Sequence, residues 1–124
     1  MNEKGPDGQQ DRGPFTVRRL PGGMSILTAA GYVDGDTPSA ISRLVADELA
    51  REPAQLVLEL SHTTSVDTAF VEALAHASAL AGEADTSFCL VVSPASPVVQ
   101  ALAAADLIER FEIFTTVNEA KLQR

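Results

Sequence analysis

The sequence predicts an α/β domain. A mixed β-sheet opens with an N-terminal hairpin, continues in parallel strands and is covered by about four helices. Three observations carry this prediction. Apolar runs of strand length alternate with stretches of helical period, in the order β-β-α-β-α-β-α-β-α. The first two strand-like runs are separated only by Pro21-Gly-Gly23, a turn that folds them onto each other. The later runs are almost continuously apolar rather than alternating, as parallel strands are when both faces are covered.

The elements follow in order. Residues 1–13 hold no apolar residue after Met1 and are rich in Gly, Gln and charge, so a disordered tail is expected there and the folded domain over 14–124. Phe15–Leu20 and Met24–Ala30 read as the hairpin strands, and Gly31–Asp36 as a loop. Thr37 is placed to cap a helix with Pro38 at its first position, and Ile41, Leu44, Val45 and Leu49 form its apolar stripe before Pro53 stops it. Leu56–Leu60 is a buried strand. Thr68–Ala81 is a second amphipathic helix, with Gly82 as its stop. Ser87–Val92 is a further buried strand. Pro97 opens a third helix with Val98, Leu102 and Ala105 on one face, Phe111–Thr115 is a last strand, and Val117–Leu122 a final helical turn or two.

Composition narrows the function. The chain has 124 residues, enough for one domain, and 45% are hydrophobic, enough for a core without staples. A net charge of −8 opposes binding to nucleic acid or to anionic membrane surfaces. The single cysteine, Cys89, has no partner for an internal disulfide and lies in the apolar run Phe88–Val92, where a small core residue is expected. No segment has the length and apolarity of a membrane span, nor the N-terminus the apolar region of a signal peptide, so no membrane insertion and a cytoplasmic location are expected. There is no phosphate-binding loop of the Walker type and no G-x-G-x-x-G, and His62, His76 and Cys89 fit no metal-ligand spacing. Ser61, His62 and Asp67 invite a nucleophilic-triad reading, but neighbours at a strand end point to opposite sides. A non-enzymatic protein with no cofactor and no metal is therefore expected. Arg18-Arg19 reads as a solvated basic pair.

The feature left over is the stretch between the central strand and the second helix: Ser61-His-Thr-Thr-Ser-Val-Asp-Thr68. On a helical wheel Phe70, Leu74, Ala77 and Ala81 share one face, flanked by Val71 and Ser78, while Thr68, Glu72, His76 and Ala79 fall opposite. Thr68 should thus be exposed at the first turn of an anchored helix, with Asp67 as its N-cap. A phosphate on Thr68 would meet free backbone N–H groups and the positive end of the helix dipole. Capping alone also accounts for an Asp-Thr pair at this place.

The order of these segments adds a context. From about Phe15 to Leu122 the chain resembles a STAS domain of the anti-sigma factor antagonist type. Gly31-Tyr-Val-Asp34 is similar to the Gly-Glu-x-Asp that ends the family's second strand. Leu56–Leu60 followed by Val66-Asp-Thr68 is similar to its central strand and phosphorylation loop. Leu90-Val-Val-Ser-Pro94, Val98, Ala105-Asp-Leu107 and Phe111–Phe114 are similar to its C-terminal pattern. The resemblance implies a cytoplasmic bacterial stress-response protein, a monomer or dimer, that regulates sigma-factor-dependent transcription. Its partner would be an anti-sigma factor with serine/threonine kinase activity, bound in the unphosphorylated state and released by phosphorylation at Thr68. A phosphatase would restore binding. Asp34, Ser61, His62, Thr63, Thr64, Ser65, Asp67, Thr68 and Glu72 are the implied partner-binding residues. The chain departs from the commonest motif, Asp-Ser-Ser/Thr-Gly, in carrying Asp67-Thr-Ala-Phe70. That variant is nearer the threonine-bearing stressosome relatives, and it keeps open a second role: a scaffold or modulator subunit, or the cytosolic component of a transporter.

Overall fold

The structure, a computed structural model, describes residues 10–12, 15–31, 37–63 and 66–122. The hairpin forms as the sequence predicts, with β2 (Phe15–Leu20) antiparallel to β3 (Met24–Gly31) and Leu20 opposite Met24. Its turn needs glycine for two reasons. Gly23 sits at φ +94°, and a Cβ there would come within 3.1 Å of the Ala54 Cβ. The Gly23 carbonyl accepts from the Ala54 N–H at 2.8 Å, so the turn also sets where the next strand begins.

Beyond the hairpin lie β4 (Gln55–Thr63), β5 (Ser87–Val91) and β6 (Glu112–Phe114), all parallel to β3. The crossovers carry α1 (Thr37–Leu49), α2 (Thr68–Glu83) and α3 (Pro97–Ala104), and α4 (Val117–Leu122) follows the last strand. The sheet runs in chain order, from a short edge strand β1 (Gln10–Arg12) to β6. Crossovers of one hand stepping always in one direction put their helices on one face. The main core accordingly joins Leu56, Leu58 and Leu60 of β4 to Ile41 and Val45 of α1, Phe70 and Leu74 of α2, and Val98 and Leu102 of α3. The alternate strand residues Met24, Ile26, Val57, Cys89 and Val91 form a smaller cluster with Ala120 of α4 on the opposite face. Cys89 is buried there, as its apolar surroundings in sequence suggest.

Several expectations are corrected. Gln10–Arg12, assigned to the tail, forms the short strand β1 on the free edge of β2. Edge pairing satisfies backbone groups and needs no apolar side chain; residues 1–9 of that tail lie outside the described residues. Ser61–Thr63, expected in a loop, belong to β4, with His62 beside Ala30 and Thr63 beside Gly31. The register shifts between Thr28 and Ala30, so β4 carries one extra residue there. Gly82 does not stop α2, which runs on to Glu83. Asp85 takes the left-handed conformation (φ 57°) instead, and the Thr86 N–H closes back on the Ala81 carbonyl at 2.9 Å. Ala105 is exposed beyond the end of α3 rather than on its core face. The last strand is shorter than Phe111–Thr115, because Phe111 closes the single 3-10 turn Ile108–Arg110.

Arg18-Arg19 is not a solvated pair. Arg19 reaches from β2 to α1, where Nε and Nη2 donate to the two Glu48 carboxylate oxygens at 2.9 and 3.0 Å. Ser25 Oγ adds a 2.6 Å bond to the same carboxylate. Glu48 is buried and Arg19 half-buried, so three charge-assisted bonds tie hairpin to helix with reduced solvent screening.

Candidate functional site

The corner between β4 and α2 is set by one cap and one anchor. Asp67 is extended (φ −126°, ψ −179°), and its Oδ1 accepts from the Phe70 N–H at 2.9 Å. This satisfies one of the N–H groups that the first turn leaves free. Phe70 itself is fully buried against the sheet, followed by Val71 and Leu74. Cap and anchor together fix the start of a 16-residue helix. Thr68, at the first helical position, is left exposed.

The sequence wheel therefore holds along α2: Phe70, Leu74, Ala77 and Ala81 are buried, while Thr68, Glu72, His76 and Ala79 face solvent. The structure separates the residues expected along the rim. Asp67, Thr68 and Glu72 stand exposed on α2 and its cap, and His62 is exposed at the end of β4. Ser61 is half-buried, and its hydroxyl donates to Glu59 Oε2 at 2.6 Å. Thr63 is only 5% exposed, and its buried Oγ1 finds no hydrogen-bond partner among the described residues. Thr63 thus lies behind the rim instead of on it. Asp34, Thr64 and Ser65 lie outside the described residues.

The start of α2 is a ridge between two open grooves. On one side Ala69, Glu72 and His76 face Ser39 and Ser42 of α1. On the other, Val66, Thr68 and Val71 face Ala101, Ala104 and Ala105 at the end of α3. The successive residues Thr68 and Ala69 therefore look into different grooves. The α3 side was not among the expected site residues. Its signal in the sequence was the trio Ala101, Ala104 and Ala105, small residues at helical spacing beside the buried Leu102.

Electrostatically the corner is acidic, with Asp67 and Glu72 flanking Thr68 and no basic side chain among the described residues that line the α3 groove. No group of three or more His, Cys, Asp or Glu residues placed for a metal ion occurs among the described residues. No helix among them is long and apolar enough to cross a membrane. What this arrangement offers chemically is a hydroxyl on a rigid, exposed helix start, within a surface of mixed shape.

The domain is thus a helix-covered mixed sheet that presents a hydroxyl at a capped corner. The sequence pattern of the STAS domain matches residues 16–120, and the chain belongs to that family. Among solved structures, an anti-sigma factor antagonist from Mycobacterium paratuberculosis superposes with a TM-score of 0.76 at 22% identity, covering 98% of this chain and 97% of that one. The anti-sigma factor antagonist SpoIIAA in its unphosphorylated form gives 0.73 at 12% identity, covering 89% and 96%. At these identities the likeness is one of fold. No curated protein sequence matches the chain.

Proposed function

We propose that this protein is a cytoplasmic bacterial anti-sigma factor antagonist, switched by phosphorylation at Thr68. In its unphosphorylated state it binds an anti-sigma factor with serine/threonine kinase activity and so frees a sigma factor. Phosphorylation releases it, and a phosphatase restores it. The observation that carries the reading is the exposed Thr68 at the first position of α2, held by the Asp67 cap and the buried Phe70. Support from outside the site is the STAS family membership and the fold shared with anti-sigma factor antagonists.

The physical basis of release is local. A phosphate on Thr68 adds about −1.5 to −2 charge between Asp67 and Glu72. The helix N-terminus compensates part of that charge in the free protein. A partner that covers the ridge must strip water from the dianion, and any acidic or apolar surface it brings then opposes binding. The partner also supplies the kinase activity.

Phosphorylation is tested by incubating the purified protein with each candidate kinase-type anti-sigma factor of its source genome and ATP, then mapping the product by mass spectrometry. A single phosphate on Thr68 is expected. Phosphate confined to other residues, or none with any candidate, would contradict the switch.

A further inference from the structure

The sheet face opposite α1–α3 is covered by one short helix. Ala120 of α4 is fully buried and packs with Met24, Ile26, Val57, Cys89 and Val91. Among the described residues no other helix contributes to that cluster. Gln55, at the start of β4, is also buried beneath α4. Its Nε2 donates to the Ala120 carbonyl at 3.3 Å and approaches Cys89 Sγ at 3.7 Å. Its Oε1 is buried and has no hydrogen-bond partner among the described residues.

These observations describe a cover that is weakly held. A buried acceptor without a donor opposes the closed state, because water satisfies it as soon as the helix lifts. Six residues do not hold a helix in isolation, so α4 is ordered by its packing. That packing is modest: Ala120 is fully buried, and Val117 is only partly buried against the same cluster. Leu122, the large apolar residue at its end, is 81% exposed and adds little burial. By contrast α2 buries Phe70, Leu74, Ala77 and Ala81 completely.

We propose that α4 is a detachable cover, and that its lifting, with the sheet and α1–α3 intact, opens Cys89 to reagents in solution. In the closed state the thiol is silent, since burial pushes it up to about 11. Lifting α4 hydrates it and restores an ordinary thiol, making Cys89 a conditional modification site. This inference is independent of Thr68 and of any partner.

The test is alkylation of the native protein by iodoacetamide, in which the Cys89 thiolate displaces iodide and forms a thioether, followed by mass spectrometry across a urea series. Far-UV circular dichroism follows global unfolding in the same samples. Opening confined to α4 exposes little surface, so the labelling rate should rise less than about twofold per molar urea below the unfolding transition. Global unfolding would raise it roughly tenfold or more per molar. Ala120→Gly should speed labelling in water about fivefold through weaker helix and packing, whereas Ala77→Gly, on α2, should leave it unchanged while lowering the unfolding midpoint. Labelling that parallels global unfolding in urea, or equal acceleration by both variants, would overturn the proposal.

Discussion

Asp67 and Phe70 hold the α2 corner from two directions, one through a hydrogen bond and one through burial. Removing the cap leaves the Phe70 N–H without its acceptor. Asp67→Ala should therefore cost about 1 kcal/mol of stability, read as a fall of roughly 3–6 °C in Tm by thermal denaturation. The fold should be retained, because Phe70, Val71 and Leu74 still anchor the helix. At this scale the sequence was informative wherever a period decided the outcome. The wheel alone separated the buried Phe70 from the exposed Thr68, and the Asp67 cap was legible from its residue type and place. It failed where burial depends on a neighbour distant in sequence. Thr63 reads as a loop hydroxyl, and only its pairing beside Gly31 takes it into the sheet. Phe70 replaces a glycine of the commonest family motif, and its complete burial shows that the position here serves the core.

Element ends and element ties were less legible than the elements themselves. Among the described residues, three non-glycine residues take positive φ: Glu52, Asp85 and Asp106, each just beyond a helix. Looking for glycine at a helix end therefore misplaced the end of α2, since an acidic residue fills the left-handed position that Gly82 seemed suited to. The tie between β2 and α1 was invisible, because Arg19 and Glu48 are 29 positions apart. That tie makes a pH prediction. Burial alone would raise the Glu48 carboxyl, but hydrogen bonds from Arg19 and Ser25, with the charges of Arg19 and Arg51, outweigh it and hold the carboxyl below its ordinary 4.5. A group lowered on folding stabilises fully above its unfolded value, and that stabilisation disappears as pH falls through the folded value. Stability should thus be flat near neutrality and decline below about pH 4.5. Glu48→Gln should cost about 3 kcal/mol at pH 7 by leaving Arg19 half-buried without its counter-charge, with the difference narrowing in acid. Urea unfolding of both proteins at pH 7 and pH 3.5 measures this, and an unchanged difference at the two pH values would contradict it.

For the whole molecule, the order of strands and helices was the legible quantity. The hairpin, the run of parallel strands and the four helices all followed from where apolar periodicity changed. The added edge strand β1 did not, because backbone pairing leaves no mark in an apolar pattern. The topology explains why the candidate site lies where it does. Crossovers of one hand gather α1, α2 and α3 on one face, and this brings the start of α2 between the other two as a ridge. The proposed switch requires that adding charge at one exposed hydroxyl changes affinity without changing fold. The most direct measurement is the Kd of the kinase-type anti-sigma factor for Thr68→Ala and Thr68→Asp, with circular dichroism confirming that both fold alike. Thr68→Ala should bind as the unmodified protein does and Thr68→Asp roughly a hundred-fold more weakly; equal affinities for the two variants would contradict the account.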